Sequence, residues 1–194
     1  MSRKTRTAII AMLAAAFVVP ANPAEAKPRV RPAKAVAAAA QDCPDADLEP
    51  VADNLGRIRS AILCLHNEIR SANGLPKLRE HKRLRKAAVG HSRDMVKAGY
   101  FEHTTPKGVT MVDRILRARY VREDEGWMLG ENLEWGTGAL ATPRGALEAW
   151  MKSPGHRANI MRRSFRELGV GVVLGVPVGD TAGATYTVDF GVRR

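Results

Sequence analysis

The sequence predicts an α+β domain in which helices come first and an antiparallel pair of strands comes last. Two observations carry this prediction. Apolar residues recur at steps of three and four through the first part of the domain, as on one face of a helix. Near the C-terminus they alternate with polar residues or glycine, as along a strand. Helices followed by a hairpin are typical of an antiparallel sheet covered by helices.

Five helices are predicted, and residues that favour helix starts or ends bound them. Asn73-Gly74 and Gly99 suit the left-handed conformation that ends a helix. Thr110 and Asp113 resemble a capping box, although its acid is an aspartate. The predicted helices cover residues 54–72, 81–98 and 111–119, a segment from Thr142-Pro143 through Met151, and a short segment that Ser153-Pro154 opens, with Ser153 as a possible cap.

Two strands follow, joined by a loop rich in glycine, proline and aspartate. The alternation of apolar residues defines each of them. The first strand carries Leu168, Val170, Val172 and Leu174, and the second carries Tyr186, Val188 and Phe190.

The N-terminal part has the pattern of an exported protein. Basic residues are followed by an apolar run from Ala8 to Val19 and by Ala24-Glu25-Ala26, which fits a small-x-small cleavage site. We therefore expect residues 1–26 to be a signal peptide, 27–48 a basic Pro/Ala-rich leader and 49–194 the folded domain. A retained membrane anchor is the alternative for residues 1–26, and no later stretch is long and apolar enough to span a bilayer.

The two cysteines predict a disulfide. Cys43 and Cys64 both lie in the part that would be exported, where disulfides persist, so one bridge between them is predicted. The alternative is two unpaired thiols.

The net charge of +11 does not indicate nucleic acid in an exported chain that lacks a nucleic-acid motif. Anionic envelope polymers or lipid head groups are the expected partners, beside the plainer interpretation of a basic, soluble surface.

Two of the five histidines lie beside breaks in regular structure, where binding sites are usually built. They are His103 in "GYFEHTTPKG" and His156 in "KSPGHRANI", and Glu131 in "LGENLEWG" lies in a similar position between glycines. Two histidines and a carboxylate can hold zinc with an open position for water. The spacing alone does not select these residues. His91 falls on an apolar helix stripe and is interpreted as a hydrogen-bonded core histidine.

Five segments in order resemble one family. They are "LHNEIRSANGLPKL", "HSRDMVKAGYFEHTTPKG", "GENLEWG", "EAWMKSPGHRANIM" and "ELGVGVV". Together they resemble the CAP superfamily of SCP-like domains, which includes cysteine-rich secretory proteins, antigen 5 and plant pathogenesis-related proteins, and its secreted bacterial branch in particular. The resemblance implies an α-β-α sandwich, a central antiparallel sheet flanked by helices, with further strands between residues 120 and 140.

The resemblance also implies a site. Family members hold a cleft with two histidines and two acids that sometimes binds a divalent metal such as zinc. Carried over, the cleft comprises His103, Glu131 and His156, with His103 and His156 as the metal ligands. The second acid is absent, because Ser153 stands where a glutamate follows the helix tryptophan. Asn67, Arg70, Asn132, Trp150 and Asn159 are interpreted as groups that support the fold.

The predicted function is that of a secreted, extracellular or envelope CAP-domain protein whose catalytic residues are unknown. It is expected to act as a monomer and to bind a small molecule, a lipid, an envelope component or a protein partner in the His/Glu cleft, with or without zinc. The alternative is a metal-dependent hydrolase of peptide or cell-wall substrates, in which Glu131 takes the proton of a zinc-bound water. A third interpretation is a structural envelope protein that adheres through its basic leader.

Overall fold

The computed structural model describes residues 43–193. The predicted signal peptide and the leader up to residue 42 lie outside the described residues. Residues 43–48 pack onto the domain: Cys43 and Ala46 are buried in the main apolar cluster. The predicted disulfide joins Cys43 to Cys64, with their Cα atoms 5.7 Å apart, and so ties this segment to the first helix.

Five helices and four strands form in the described part, close to the predicted bounds. The Thr110–Asp113 capping box is present, with the Asp113 carboxylate 2.8 Å from the Thr110 nitrogen. Ser153 precedes the last helix, but its hydroxyl makes no capping hydrogen bond. The elements are α1 (Leu55–Ala72), β1 (Arg79–Glu80), α2 (Lys82–Ala98), α3 (Met111–Arg117), β2 (Trp127–Gly136), α4 (Pro143–Lys152), α5 (Pro154–Met161), β3 (Glu167–Leu174) and β4 (Ala184–Arg193).

The four strands form one sheet in the order β1-β3-β4-β2. The three long strands are antiparallel, as predicted, and the two-residue β1 adds a parallel edge to β3. β4 lies between β3 and β2, and residues 184–191 on both of its faces are all buried. The polar residues of its alternation therefore face another layer of the protein rather than solvent.

The sheet lies between two layers of helices, which confirms the α-β-α sandwich. Val170 and Val172 of β3 belong to a large apolar cluster with α1, α4 and α5. The intervening Gly169 and Gly171 point to the opposite face, where α2 lies directly on the sheet. A Cβ atom at Gly169 would lie 2.0 Å from the Arg85 nitrogen, and one at Gly171 would lie 2.3 Å from the Ala88 carbonyl carbon. These two glycines are required because α2 approaches the strand too closely for any side chain.

Candidate functional site

Glu131 lies in the middle of β2, on the face of the sheet that α2 and α3 cover. Its side chain is only 2% exposed. A buried carboxylate is unfavourable unless it is paired and hydrogen-bonded. Both of its oxygens meet this requirement, each with a different partner.

His103 supplies the first partner. It lies in the loop between α2 and α3, and its Nδ1 is 2.8 Å from Oε1 of Glu131. The carboxylate only accepts hydrogen bonds, so Nδ1 carries the proton and donates it. The His103 side chain is 56% exposed. One edge of the ring is therefore fixed by a buried acid, and the rest is open to solvent.

Arg114 of α3 supplies the second partner. Its Nη2 donates to Oε2 of Glu131 at 2.6 Å, and its side chain is 9% exposed. The same guanidinium donates through Nη1 to the carbonyl oxygens of His103 at 3.0 Å and Val109 at 3.2 Å. Arg114 thus holds both the carboxylate and the loop that carries His103.

These contacts set the charges of the site. Burial acts to raise the pKa of Glu131, but the hydrogen bond from His103 and the positive charge of Arg114 outweigh it, so this pKa lies below its ordinary value. The hydrogen bond to Glu131 raises the pKa of His103, although its partial burial opposes this. The pair therefore favours an ionised Glu131 beside an imidazole that protonates more readily than usual.

His156 lies on the first turn of α5 and is partly buried. Two asparagines fasten α5 to β2. The Asn132 side chain donates to the His156 carbonyl at 3.0 Å, and the Asn159 side chain donates to the Glu131 carbonyl at 3.1 Å. Burial lowers the pKa of His156, and the charge of nearby His103 adds to this effect. The structure thus joins His103 to Glu131 by a side-chain hydrogen bond and links His156 to the Glu131 strand through the backbone.

Asp189 of β4 stands directly opposite Glu131 in the sheet and was not expected from the sequence. It is fully buried, and neither of its oxygens accepts a hydrogen bond from a donor within residues 43–193. Burial and the neighbouring Glu131 charge raise the pKa of Asp189 well above its usual range. Its protonated form is therefore favoured and can donate to Glu131. An acid inside a buried strand was the available signal, but the alternation of β4 suggested a solvent-facing side.

The other residues singled out from the sequence support the fold, as expected. The guanidinium of Arg70 is buried and donates to the carbonyls of Pro76, Ile160, Arg162 and Phe165. Trp150 donates to the Leu133 carbonyl at 2.8 Å, and Asn67 pairs with the backbone of Leu78. The core interpretation of His91 is confirmed: it is 1% exposed, and its Nε2 lies 3.0 Å from the Glu102 carbonyl.

Glu131 is poorly suited to bind zinc directly in this arrangement of donors. Within residues 43–193, no group of three or more His, Cys, Asp or Glu side chains is placed to hold a metal ion. Glu131 uses one oxygen for His103 and the other for Arg114, and the guanidinium would repel a cation at the same carboxylate. The Nδ1 proton of His103 is committed to Glu131, so Nε2 is the ring nitrogen of His103 that zinc would use, with Glu131 as the hydrogen-bonded acid behind it.

The fold and this His–Glu–Arg arrangement define a single CAP-type α-β-α domain. The sequence pattern of the cysteine-rich secretory protein family matches residues 63–188, and the chain belongs to that family. Two proteins of Bacillus subtilis (strain 168) are similar. "Uncharacterized membrane protein YlbC" is 33% identical over 111 residues, and "Uncharacterized protein YkwD" is 34% identical over 109 residues. These matches cover 57% and 56% of this chain, but only 30% and 40% of the relatives.

Solved structures agree with the fold. An extracellular protein containing an SCP domain from Bacillus anthracis str. Ames has a TM-score of 0.58 at 32% identity, covering 75% of this chain and 44% of that one. An outer surface protein from Borrelia burgdorferi also has a TM-score of 0.58, at 20% identity, covering 75% of this chain and 96% of that one. The second similarity bears on the fold alone. No helix within residues 43–193 combines the length and apolar character needed to cross a bilayer.

Proposed function

We propose that this protein is exported and binds a ligand or partner outside the membrane at the cleft that carries His103, Glu131 and His156. The observation that carries the proposal is the use of both Glu131 oxygens, one by His103 and the other by Arg114. Glu131 acts as a buried anchor for His103, and the exposed part of the His103 ring contacts the ligand.

The two imidazoles offer different chemistry to such a ligand. His103, with its Nδ1 proton committed to Glu131, presents Nε2, and its raised pKa favours donation to a carboxylate, phosphate or carbonyl oxygen. His156, with its lowered pKa, stays neutral and can donate through one ring nitrogen and accept through the other. A polar ligand with acceptor oxygens and a hydroxyl or amide hydrogen suits this pair.

Binding is better supported than metal-dependent hydrolysis. A general base must be free to accept a proton from water, and a pKa near the working pH serves it best. Glu131 is buried, its pKa is lowered, and both of its oxygens already accept hydrogen bonds. Ser153, in place of the family's second acid, also supplies no second carboxylate to the cleft.

An extracellular or envelope location is part of the proposal. The N-terminal pattern of residues 1–26 supports export. One structural neighbour, the SCP-domain protein from Bacillus anthracis, is described by its name as extracellular. Envelope components are therefore the first ligands to test.

Titration of the purified protein with a soluble muropeptide, followed by NMR at the histidine imidazoles, tests this proposal. We expect shifts at His103 and His156, and affinity at least about tenfold weaker in His103→Gln, since a hydrogen bond to a charged group contributes about 1.5–3 kcal/mol. His81→Gln is the matched control, because His81 lies at the start of α2 and takes no part in the cleft.

Two results would count against the proposal. One is muropeptide binding that His103→Gln leaves unchanged. The other is zinc-stimulated cleavage of the muropeptide that is lost in Glu131→Gln, which would favour the hydrolase instead.

A further inference from the structure

Two short segments rich in arginine and lysine meet at the end of the sheet where β1 and β3 begin. They are residues 77–83, "KLREHKR", and residues 162–166, "RRSFR". The Arg79 nitrogen donates to the Arg166 carbonyl at 3.0 Å, and the Arg163 side chain donates to the Gly74 carbonyl at 3.4 Å. Short basic clusters of this kind are typical of surfaces that bind polyanions. The proposed function involves neither segment.

The cations of this region are exposed and unpaired. Arg119 belongs with the two segments, because its carbonyl accepts a hydrogen bond from the Arg83 side chain. We call the set the basic end. Its eight members take part in no ion pair within residues 43–193, and they are Lys77, Arg79, Lys82, Arg83, Arg119, Arg162, Arg163 and Arg166.

Acidic side chains beside the basic end are mostly neutralised by other arginines. The ion pairs are Glu80–Arg85, Asp124–Arg122, Glu125–Arg122 and Glu167–Arg193. Of the acids in and beside these segments, Glu123 alone is left outside an ion pair in the described part of the chain. The positive charge of the basic end is therefore in excess and is available to a ligand.

Several of these guanidinium groups are already held in place by the protein. Nη1 of Arg166 lies 2.6–3.1 Å from the carbonyl oxygens of residues 163–165. The Arg162 guanidinium lies over the Phe165 ring, 5.8 Å from its centre. A side chain that is fixed before binding loses less conformational freedom on binding. Each guanidinium has five N–H donors, so these contacts leave others free for a ligand.

Two cavities lie among these arginines. Arg79 and Arg166 line one of about 460 Å³, together with the ion-paired Glu125 and Glu167. Arg83 and Arg119 line another of about 510 Å³, together with Glu123. The cations are thus spread over both cavities and three stretches of the chain. A ligand that satisfies them must carry several negative charges along its length.

We propose that the basic end binds a linear polyanion, a polymer with repeating phosphate or carboxylate groups and no bases. Six of the eight cations are arginines, whose guanidinium can form two parallel hydrogen bonds with either oxyanion. Within residues 43–193 none of the exposed large hydrophobic residues is aromatic. The surface therefore lacks the stacking side chains on which proteins bind single-stranded nucleic acids.

Fluorescence anisotropy with end-labelled poly(glycerol phosphate), and separately with polygalacturonate, tests the inference. The first polymer carries phosphate groups and the second carboxylates, so the tighter of the two identifies the preferred oxyanion. We expect the wild-type affinity to fall at least about tenfold between about 50 and 200 mM salt, because bound counterions are released from the polymer.

The variant Lys77→Gln/Arg79→Gln/Arg163→Gln should weaken binding about tenfold at the lower salt concentration. It should also make the dependence of log K on log salt shallower by about 2, since each contact with a single-stranded polyanion contributes about 0.7. All three side chains are exposed, so the free energy of unfolding in urea should not change.

The matched control is Arg93→Gln/Lys97→Gln/Lys107→Gln. It removes the same charge from exposed positions near the other end of α2 and in the loop beyond it, and Lys97 lies about 22 Å along the helix from Lys82. It should leave binding nearly unchanged. Residues 27–34 of the leader carry four basic residues, but they are the same in every variant and do not affect the comparison.

Three outcomes would overturn the proposal. They are no binding of either polymer to the wild type, an equal loss of affinity in the two triple variants, and binding of single-stranded DNA of equal charge that is more than tenfold tighter. The last would indicate a nucleic-acid surface instead. His103→Gln should keep polymer binding, so failure of the His103 cleft and failure of the basic end are distinguishable.

Discussion

The two faces of the sheet are both buried, but they are built from different chemistry. The face under α1, α4 and α5 is aromatic and aliphatic: Phe165 stacks on Phe190 with ring centres 5.5 Å apart, and Trp150 meets Tyr186 edge-on at 6.4 Å. The face under α2 and α3 carries Glu131, Asp189 and the buried threonines Thr185 and Thr187. Ser92 of α2, for example, donates to the Thr187 hydroxyl at 2.8 Å.

This contrast shows where the fold carries polar groups that stability alone would not select. Apolar burial stabilises the first face directly. Buried polar groups need partners, and within the described residues Asp189, His91 and Arg114 on the second face each keep at least one unpartnered atom. On the first face, His66 keeps one, its Nε2. Local violations of good packing are expected at functional sites. The second face is the one on which we propose the binding site.

The largest effect should come from the apolar face. Trp150 is fully buried, and its indole N–H donates a hydrogen bond to the Leu133 carbonyl. Trp150→Ala should therefore lower the free energy of unfolding by about 3–5 kcal/mol. Urea denaturation measures the change. His103→Gln is the control from the polar face and should change it by much less, because that side chain is half exposed. An equal loss of free energy of unfolding in Trp150→Ala and His103→Gln would contradict the difference between the two faces.

The disulfide should come next. It closes a loop with a sequence separation of 21 residues and anchors Cys43 against the apolar cluster. Replacing both cysteines by serine should lower the free energy of unfolding by about 2–4 kcal/mol. Unfolding of the reduced wild type, measured in the same way, should match the variant. A loss below about 0.5 kcal/mol in either case would show that the N-terminal segment does not depend on the bridge.

Glu131→Gln should have a smaller effect on stability and a clear one on the site. The loss of charged hydrogen bonds to His103 and Arg114 should lower the free energy of unfolding by about 2 kcal/mol. Relief of the repulsion that acts on Asp189 partly offsets the loss. An unchanged free energy of unfolding would mean that the buried pair is not formed.

The pH dependence of stability separates the two facing carboxyls. The pKa of Glu131 is lowered in the fold. Ionisation of Glu131 therefore raises the free energy of unfolding above the unfolded pKa of 4.5, and this stabilisation is lost as the pH falls through the folded pKa. The pKa of Asp189 is raised in the fold. Its contribution to the free energy of unfolding is therefore fully present below the unfolded pKa of 3.8 and is lost as the pH rises through the folded pKa.

Asp189→Asn should therefore raise the free energy of unfolding by roughly 1 kcal/mol at pH 7 and by a smaller amount at pH 4. Urea denaturation at the two pH values measures this. Stabilisation that is greater at pH 4 would contradict the raised pKa of Asp189.

The sequence predicted the helices well and the buried polar face poorly, for a physical reason. Helical periodicity and the Thr110–Asp113 cap are local, and both were confirmed. Asp189 was not singled out, because alternation alone does not reveal whether a second layer covers the polar side of a strand. Arg114 lies 17 residues from Glu131 in sequence, and no local pattern indicates that helix α3 brings them together.

The hydrogen bond between Glu131 and Nδ1 of His103 is the contact on which the proposed binding site depends. Titration of the histidine signals by NMR measures it most directly, in the wild type and in Glu131→Gln. The account predicts a midpoint above 6.5 for His103 and below 6.5 for His156 in the wild type, and a fall of the His103 midpoint in the variant. A His103 midpoint at or below 6.5 that Glu131→Gln leaves unchanged would contradict it.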